Sequence, residues 1–182
     1  MIKDSGVRRE FESGAVRDMA GGKGRFDLMP LDVVAELYHS DIIDAIASFK
    51  EDGDVDDLYM ALRLFCVSNY DSNMAKMMLE VSKHFERGAE KYGEYNWQKG
   101  IPCDSYIDSA CRHYFKLEAG YDDEPHAEAF VWNLLCLAWT YEHYLDAHDI
   151  ADKVVDSAEI NLDDIELDDT FGDLDEALTE VN

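Results

Sequence analysis

Four short clusters in this 182-residue chain combine cations, carboxylates and imidazoles in spacings that could hold a phosphate or a metal. Gly21-Gly22-Lys23-Gly24-Arg25 is a glycine-rich loop. Glycines let backbone N–H groups approach an anion closely, and Lys23 and Arg25 would neutralise it. It lacks the GxxxxGK[ST] spacing of a nucleotide-binding P-loop, and on its own a plain flexible turn is the simpler reading. Phe85 to Gly93, closed by Asn96-Trp97, carries Glu86 and Glu90 four residues apart and so on one helix face. Two such carboxylates can share a hard divalent cation, with Gly88 and Ala89 leaving room for a ligand; a solvated polar face is the simpler alternative. Asp108 to His113 places Arg112 one turn from Asp108, the spacing of a salt bridge. Asp122-Asp123-Glu124-Pro125-His126 gathers metal-competent groups at a helix start, where acids also complement the dipole. The dipole does not account for His126, nor for Asn133 in the apolar helix that follows, since a buried Asn needs partners.

These clusters need elements to position them, and the apolar periodicity is helical almost throughout. Leu31 to Phe49 reads as one helix, with Val34, Leu37, Tyr38, Ile42, Ile46 and Phe49 on its inner face. Further helices are expected over about Val55 to Val67, Met74 to Tyr92, Ser105 to Leu117 with Ser105 as cap, and from Pro125 to about Leu145. Tyr92 to Ser105, with Gly93, Gly100 and Pro102, reads as a loop. Only the tail offers a possible short strand. The expected fold is all-α, a helical bundle of four or five helices over residues 1–148.

Charge sets the remaining bounds. Sixteen Lys and Arg against 41 Asp and Glu give −25, which argues against nucleic acid as a partner and against an anionic membrane surface. From Asp149 onward thirteen carboxylates face Lys153 alone, so residues 149–182 read as an acidic C-terminal appendage, although Ile160, Leu162 and Phe171 punctuate it. The four cysteines form no CxxC pair and are expected to be reduced. Met1 to Arg9 shows no apolar signal-peptide core, and Ala127 to Trp139 is too short to span a bilayer. A cytoplasmic protein is expected.

Taken in order, the clusters resemble a known family. Phe11 to Asp18, Gly22 to Pro30, Phe85 to Tyr92 with Asn96-Trp97, Asp108-Ser109 with Arg112-His113, and Asp123-Glu124 with His126 and Trp132-Asn133 are similar to the phage dATP/dGTP diphosphohydrolases. The resemblance runs from about Arg8 to Tyr141, with residues 39–73 as a helical insertion. It implies a MazG-like bundle, a homo-oligomer, residence in the host cytoplasm if phage-encoded, and Mg²⁺- or Mn²⁺-dependent hydrolysis of dGTP or dATP to the monophosphate and pyrophosphate. On that reading Glu86 and Glu90 are catalytic and bind metal together with Asp123, Glu124 and His126. Lys23, Arg25, Lys91, Asn96, Trp97, Arg112, His113 and Asn133 would bind the substrate. Two departures stand out: the MazG pattern ExxE is here Glu86-x-x-x-Glu90, and the acid expected after Glu124 is Ala127. They keep two alternatives open, a module that captures a nucleotide without turnover and an acidic interaction protein acting through its tail.

Overall fold

The computed structural model describes residues 8–19 and 21–144; the acidic appendage lies outside them. Two short strands, β1 (Arg8–Glu10) and β2 (Val16–Asp18), form an antiparallel hairpin, followed by a 3-10 turn (Phe26–Leu28). Among the described residues six helices follow: α1 (Leu31–Tyr38), α2 (Asp41–Asp52), α3 (Val55–Tyr70), α4 (Met74–Tyr92), α5 (Cys103–Glu118) and α6 (His126–His143). The all-α expectation holds, with differences that have local causes. Leu31 to Phe49 is two helices, because His39 adopts φ 52° and Ser40 accepts from the Ile43 N–H to begin α2. The apolar periodicity runs through this break and hides it. Ser105 caps nothing; α5 starts at Cys103, and Ser105 is buried within it.

α6 is the central helix. Ala129, Phe130, Val131, Leu134, Leu137 and Ala138 are all buried, so it is apolar on nearly every side and packs on α5, α4 and α3. α5 and α6 form one antiparallel hairpin and α2 and α3 another, the latter in the region read as an insertion. Asp54 and Asn73 cap α3 and α4 through the N–H groups of Asp56 and Lys76. All four cysteines are buried, and burial pushes the Cys103 and Cys111 thiols up to about 12. Among the described residues no helix is long and apolar enough to cross a membrane.

Gly53 ends α2 at φ 76°, its N–H bonded to the Phe49 carbonyl at 2.8 Å. A methyl group there would lie 1.9 Å from the Tyr141 hydroxyl of α6. Gly53→Ala therefore combines a left-handed backbone with a core clash, and is expected to cost about 2–4 kcal/mol. A urea melt showing less than about 1 kcal/mol of loss would mean that Tyr141 moves aside freely.

Candidate functional site

The hairpin, the glycine-rich loop and helices α4, α5 and α6 enclose a cavity of about 1080 Å³, at the upper end of the range for small-molecule sites. The hairpin supplies its most unusual feature. Its register sets Arg9 opposite Arg17, so two guanidiniums project from the same face. Like charges in that arrangement repel, and here they persist because both reach α5. Arg9 donates through Nη2 to Ser105 Oγ at 3.1 Å. Arg17 donates to the Ser105 carbonyl at 3.0 Å, to Ser109 Oγ at 3.1 Å and to Asn133 Oδ1 at 2.8 Å. All are neutral acceptors. Burial, with Arg9 and Arg112 nearby, holds the Arg17 guanidinium below its ordinary value. Lys23 also lines the cavity, and burial lowers its ammonium. Among the described residues Arg9, Arg17 and Lys23 have no carboxylate in contact. Arg112 joins them on the wall, tied to Asp108 Oδ2 at 2.6 Å and to Ser109 Oγ at 2.9 Å.

The other expected ligand-binding residues fall into two groups. His113, Trp97 and Asn133 are on the wall with Lys23 and Arg112. Asn133 finds the partners a buried amide needs, accepting from Arg17 and donating to the Ala129 carbonyl at 2.7 Å. Trp97 stands edge-on to Phe85 and Trp139. Asn96 lines the cavity too, but both ends of its amide are spent on the Val16 backbone, at 3.0 and 2.9 Å, so it clamps the hairpin. Arg25 is off the wall, where a two-toothed pair with buried Asp27 holds Asp27 below the usual carboxylate range. Lys91 is off the wall as well, its Nζ 2.8 Å from Asp18 Oδ2.

The acidic groups sort in the same way. Phe85, Ala89 and Tyr92 form the centre of the α4 face lining the cavity. At about 100° per residue, Glu86 lies about 100° round from Phe85 and Glu90 about 140° round. Glu86 is accordingly on the wall, exposed and without a hydrogen-bond or ion-pair partner among the described residues; Glu90 is exposed and off the wall. Glu124 and Asp123 are on the wall, and His126 is sealed behind them. His126 Nε2 lies 2.9 Å from Asp123 Oδ1, Lys116 Nζ 3.3 Å from Asp123 Oδ2, and the two Nδ1 atoms of His113 and His126 are 2.9 Å apart. One donor atom each from His113, Glu124 and His126 lies within 4.8 Å of the others. This is a possible metal-binding group, and Asp123, read as a ligand, stands outside it. Burial, with Arg112 and His126 nearby, holds His113 well below its ordinary value, and a neutral imidazole is the form that binds metal.

Arg17 and Arg9 are missing from the residues singled out by type and spacing. The signal for Arg17 was its place in the Phe11 to Asp18 stretch, but without an expected strand nothing aimed its side chain inward.

His84, on the wall beside Trp132, is pushed down to about 4 by burial and then by the Arg87 and Arg17 charges. In the unfolded chain a histidine titrates near 6.5. Between about 6.5 and 4 the unfolded chain binds a proton that the folded chain excludes. This contribution is therefore complete above pH 6.5 and lost as pH falls toward 4, by up to about 3 kcal/mol. A lower urea midpoint at pH 5 than at pH 7 is expected, with the difference reduced in His84→Gln. An equal difference in the variant would place the effect elsewhere.

Neither the curated proteins nor the solved structures contain a significant match to this chain. A family model does match, over residues 60–150, half of the sequence, which hold α4, α5, α6 and the acid–imidazole group. Its description is dATP/dGTP diphosphohydrolase, N-terminal, and the chain belongs to that family.

Proposed function

We propose that the protein hydrolyses a purine deoxynucleoside triphosphate, dGTP or dATP, to the monophosphate and pyrophosphate with a divalent cation. The observation that carries this reading is the placement of Arg9, Arg17 and Lys23, without carboxylate partners among the described residues, on one cavity wall in a chain of net charge −25. Cations that no carboxylate contacts favour an anionic occupant beside them, and a triphosphate supplies it. Arg17, its Nη2 hydrogens held by Ser109 and Asn133, would offer phosphate its charge and its remaining N–H groups, with Arg9, Lys23 and Arg112 around it. Trp97 and Trp132 offer aromatic surface for the base. Glu124, His113 and His126 fit a metal: their donor atoms are close together, and Asp123 orients His126 from behind. When bound there, a divalent cation polarises a phosphoryl oxygen and acidifies water. Glu86, open to the cavity and without a partner among the described residues, would take the proton of the attacking water at its carboxylate.

Phosphorus NMR of the products from dGTP and dATP tests the reading. Monophosphate plus pyrophosphate, abolished by excess chelator and restored by a divalent metal, is the expected result. Orthophosphate with the diphosphate, or turnover in excess chelator, would contradict it. Tight triphosphate binding without product would favour capture without turnover. That reading draws on Glu90 lying off the wall and on Ala127, which leave fewer carboxylates for a metal.

A further inference from the structure

We propose that His113, Glu124 and His126 form a site for a first-row transition metal of the zinc type (Zn²⁺, Co²⁺ or Ni²⁺), with Asp123 as its positioning residue. Two of the three donors are imidazoles. Mg²⁺ prefers oxygen ligands in a regular octahedron and keeps several waters, whereas imidazole suits zinc and its neighbours. Two histidines and one glutamate are a ligand set of zinc sites that keep an open position, and His113 and Glu124 both lie on the cavity wall where that position would face the ligand.

The surrounding contacts support a built site. A carboxylate can only accept, so the 2.9 Å contact with Asp123 puts the His126 proton on Nε2 and leaves Nδ1 as its lone-pair nitrogen. That Nδ1 faces His113 Nδ1 at 2.9 Å, a separation that needs a single proton between the two nitrogens. Binding of a metal ion by both nitrogens would release that proton. Lys116, on the second Asp123 oxygen, holds the carboxylate in place and keeps that oxygen from competing as a ligand. A histidine that gives its second ring N–H to a carboxylate is the usual outer arrangement of a metal-bound imidazole. The role of this metal in hydrolysis rests on the function proposed above; the site itself does not.

The test uses the full chain, stripped of metal and titrated with CoCl₂, ZnCl₂ or MgCl₂ alone. One Co²⁺ per chain is expected, with visible d–d absorption bands, displaced by Zn²⁺ and not by millimolar Mg²⁺. His113→Ala and Glu124→Gln should each weaken Co²⁺ binding at least about tenfold, and Asp123→Asn about 10–100-fold with altered bands. Glu124→Gln serves as the second probe if His113→Ala does not fold by circular dichroism. No d–d bands in the wild-type chain, displacement by Mg²⁺, or unchanged binding in both ligand variants would overturn the site. Metal binding with these properties but no hydrolysis would remove the proposed function and leave the site standing. Hydrolysis supported by Mg²⁺ in a chain that shows no d–d bands with Co²⁺ would remove the site and leave the function standing.

Discussion

Arg17→Ala is expected to lower triphosphate turnover about 10²–10³-fold and to weaken triphosphate binding far more than nucleoside binding. Hydrogen bonds to a charged group contribute about 1.5–3 kcal/mol each, and losing about 3–4 kcal/mol corresponds to that range. Arg17 is singled out from the other cavity cations by its contacts. Arg112 is already neutralised by Asp108, while Arg17 is held by Ser105, Ser109 and Asn133, which fix its direction and, among the described residues, leave its charge without a carboxylate. Because it also ties the hairpin to α5 and α6, two controls are needed. Arg17→Lys keeps the charge and loses the planar guanidinium, so it should fall between wild type and alanine. Nucleoside binding reports whether the cavity survives. An equal loss for nucleoside and triphosphate would assign Arg17 to the fold alone.

The second large effect separates two glutamates one helical turn apart. Glu86→Gln should reduce kcat about 10²–10⁴-fold with little change in KM, as loss of a general base does. Glu90→Gln should stay within about twofold of wild type, as an exposed substitution away from the cavity does. The contrast follows from their angular positions on α4, since only Glu86 reaches the cavity wall. Equal losses in the two variants would restore the shared-carboxylate arrangement that their spacing suggests.

That contrast also marks how far the sequence could be read. Long helices announce themselves through apolar positions repeating every 3.6 residues, and α3, α4 and α6 are legible in this way. The hairpin is not: its strands, Arg8–Glu10 and Val16–Asp18, are three residues each and mostly charged, too short and polar to show alternation. The cations that matter most arrive on those strands. Within the legible region, residue type marked the right neighbourhood, since Lys23, Glu86, Arg112, His113, Asp123, Glu124 and Asn133 all meet at the cavity. Final roles depend on angle and on who is already bonded to whom. Arg25 is taken by Asp27, Lys91 by Asp18, Asn96 by Val16, and Asp123 by His126 and Lys116. No spacing rule contains that allocation.

The facing pair Arg9 and Arg17 has a consequence for how the protein endures when nothing is bound. The hairpin is fastened to the body by the Asn96 clamp, by Lys91 on Asp18 and by two guanidiniums that repel one another, so the free chain carries electrostatic tension along part of that seam. A polyanion lodged between them would turn the repulsion into cohesion. At a hundred times its dissociation constant it would add about 2.7 kcal/mol to the folded state. In a nucleotide-rich cell the hairpin would be locked down; purified and desalted, the same molecule would open first at its N-terminal end. Limited proteolysis there, slowed by a triphosphate and not by a nucleoside, would make the substrate a fastening of the fold as well as a reactant.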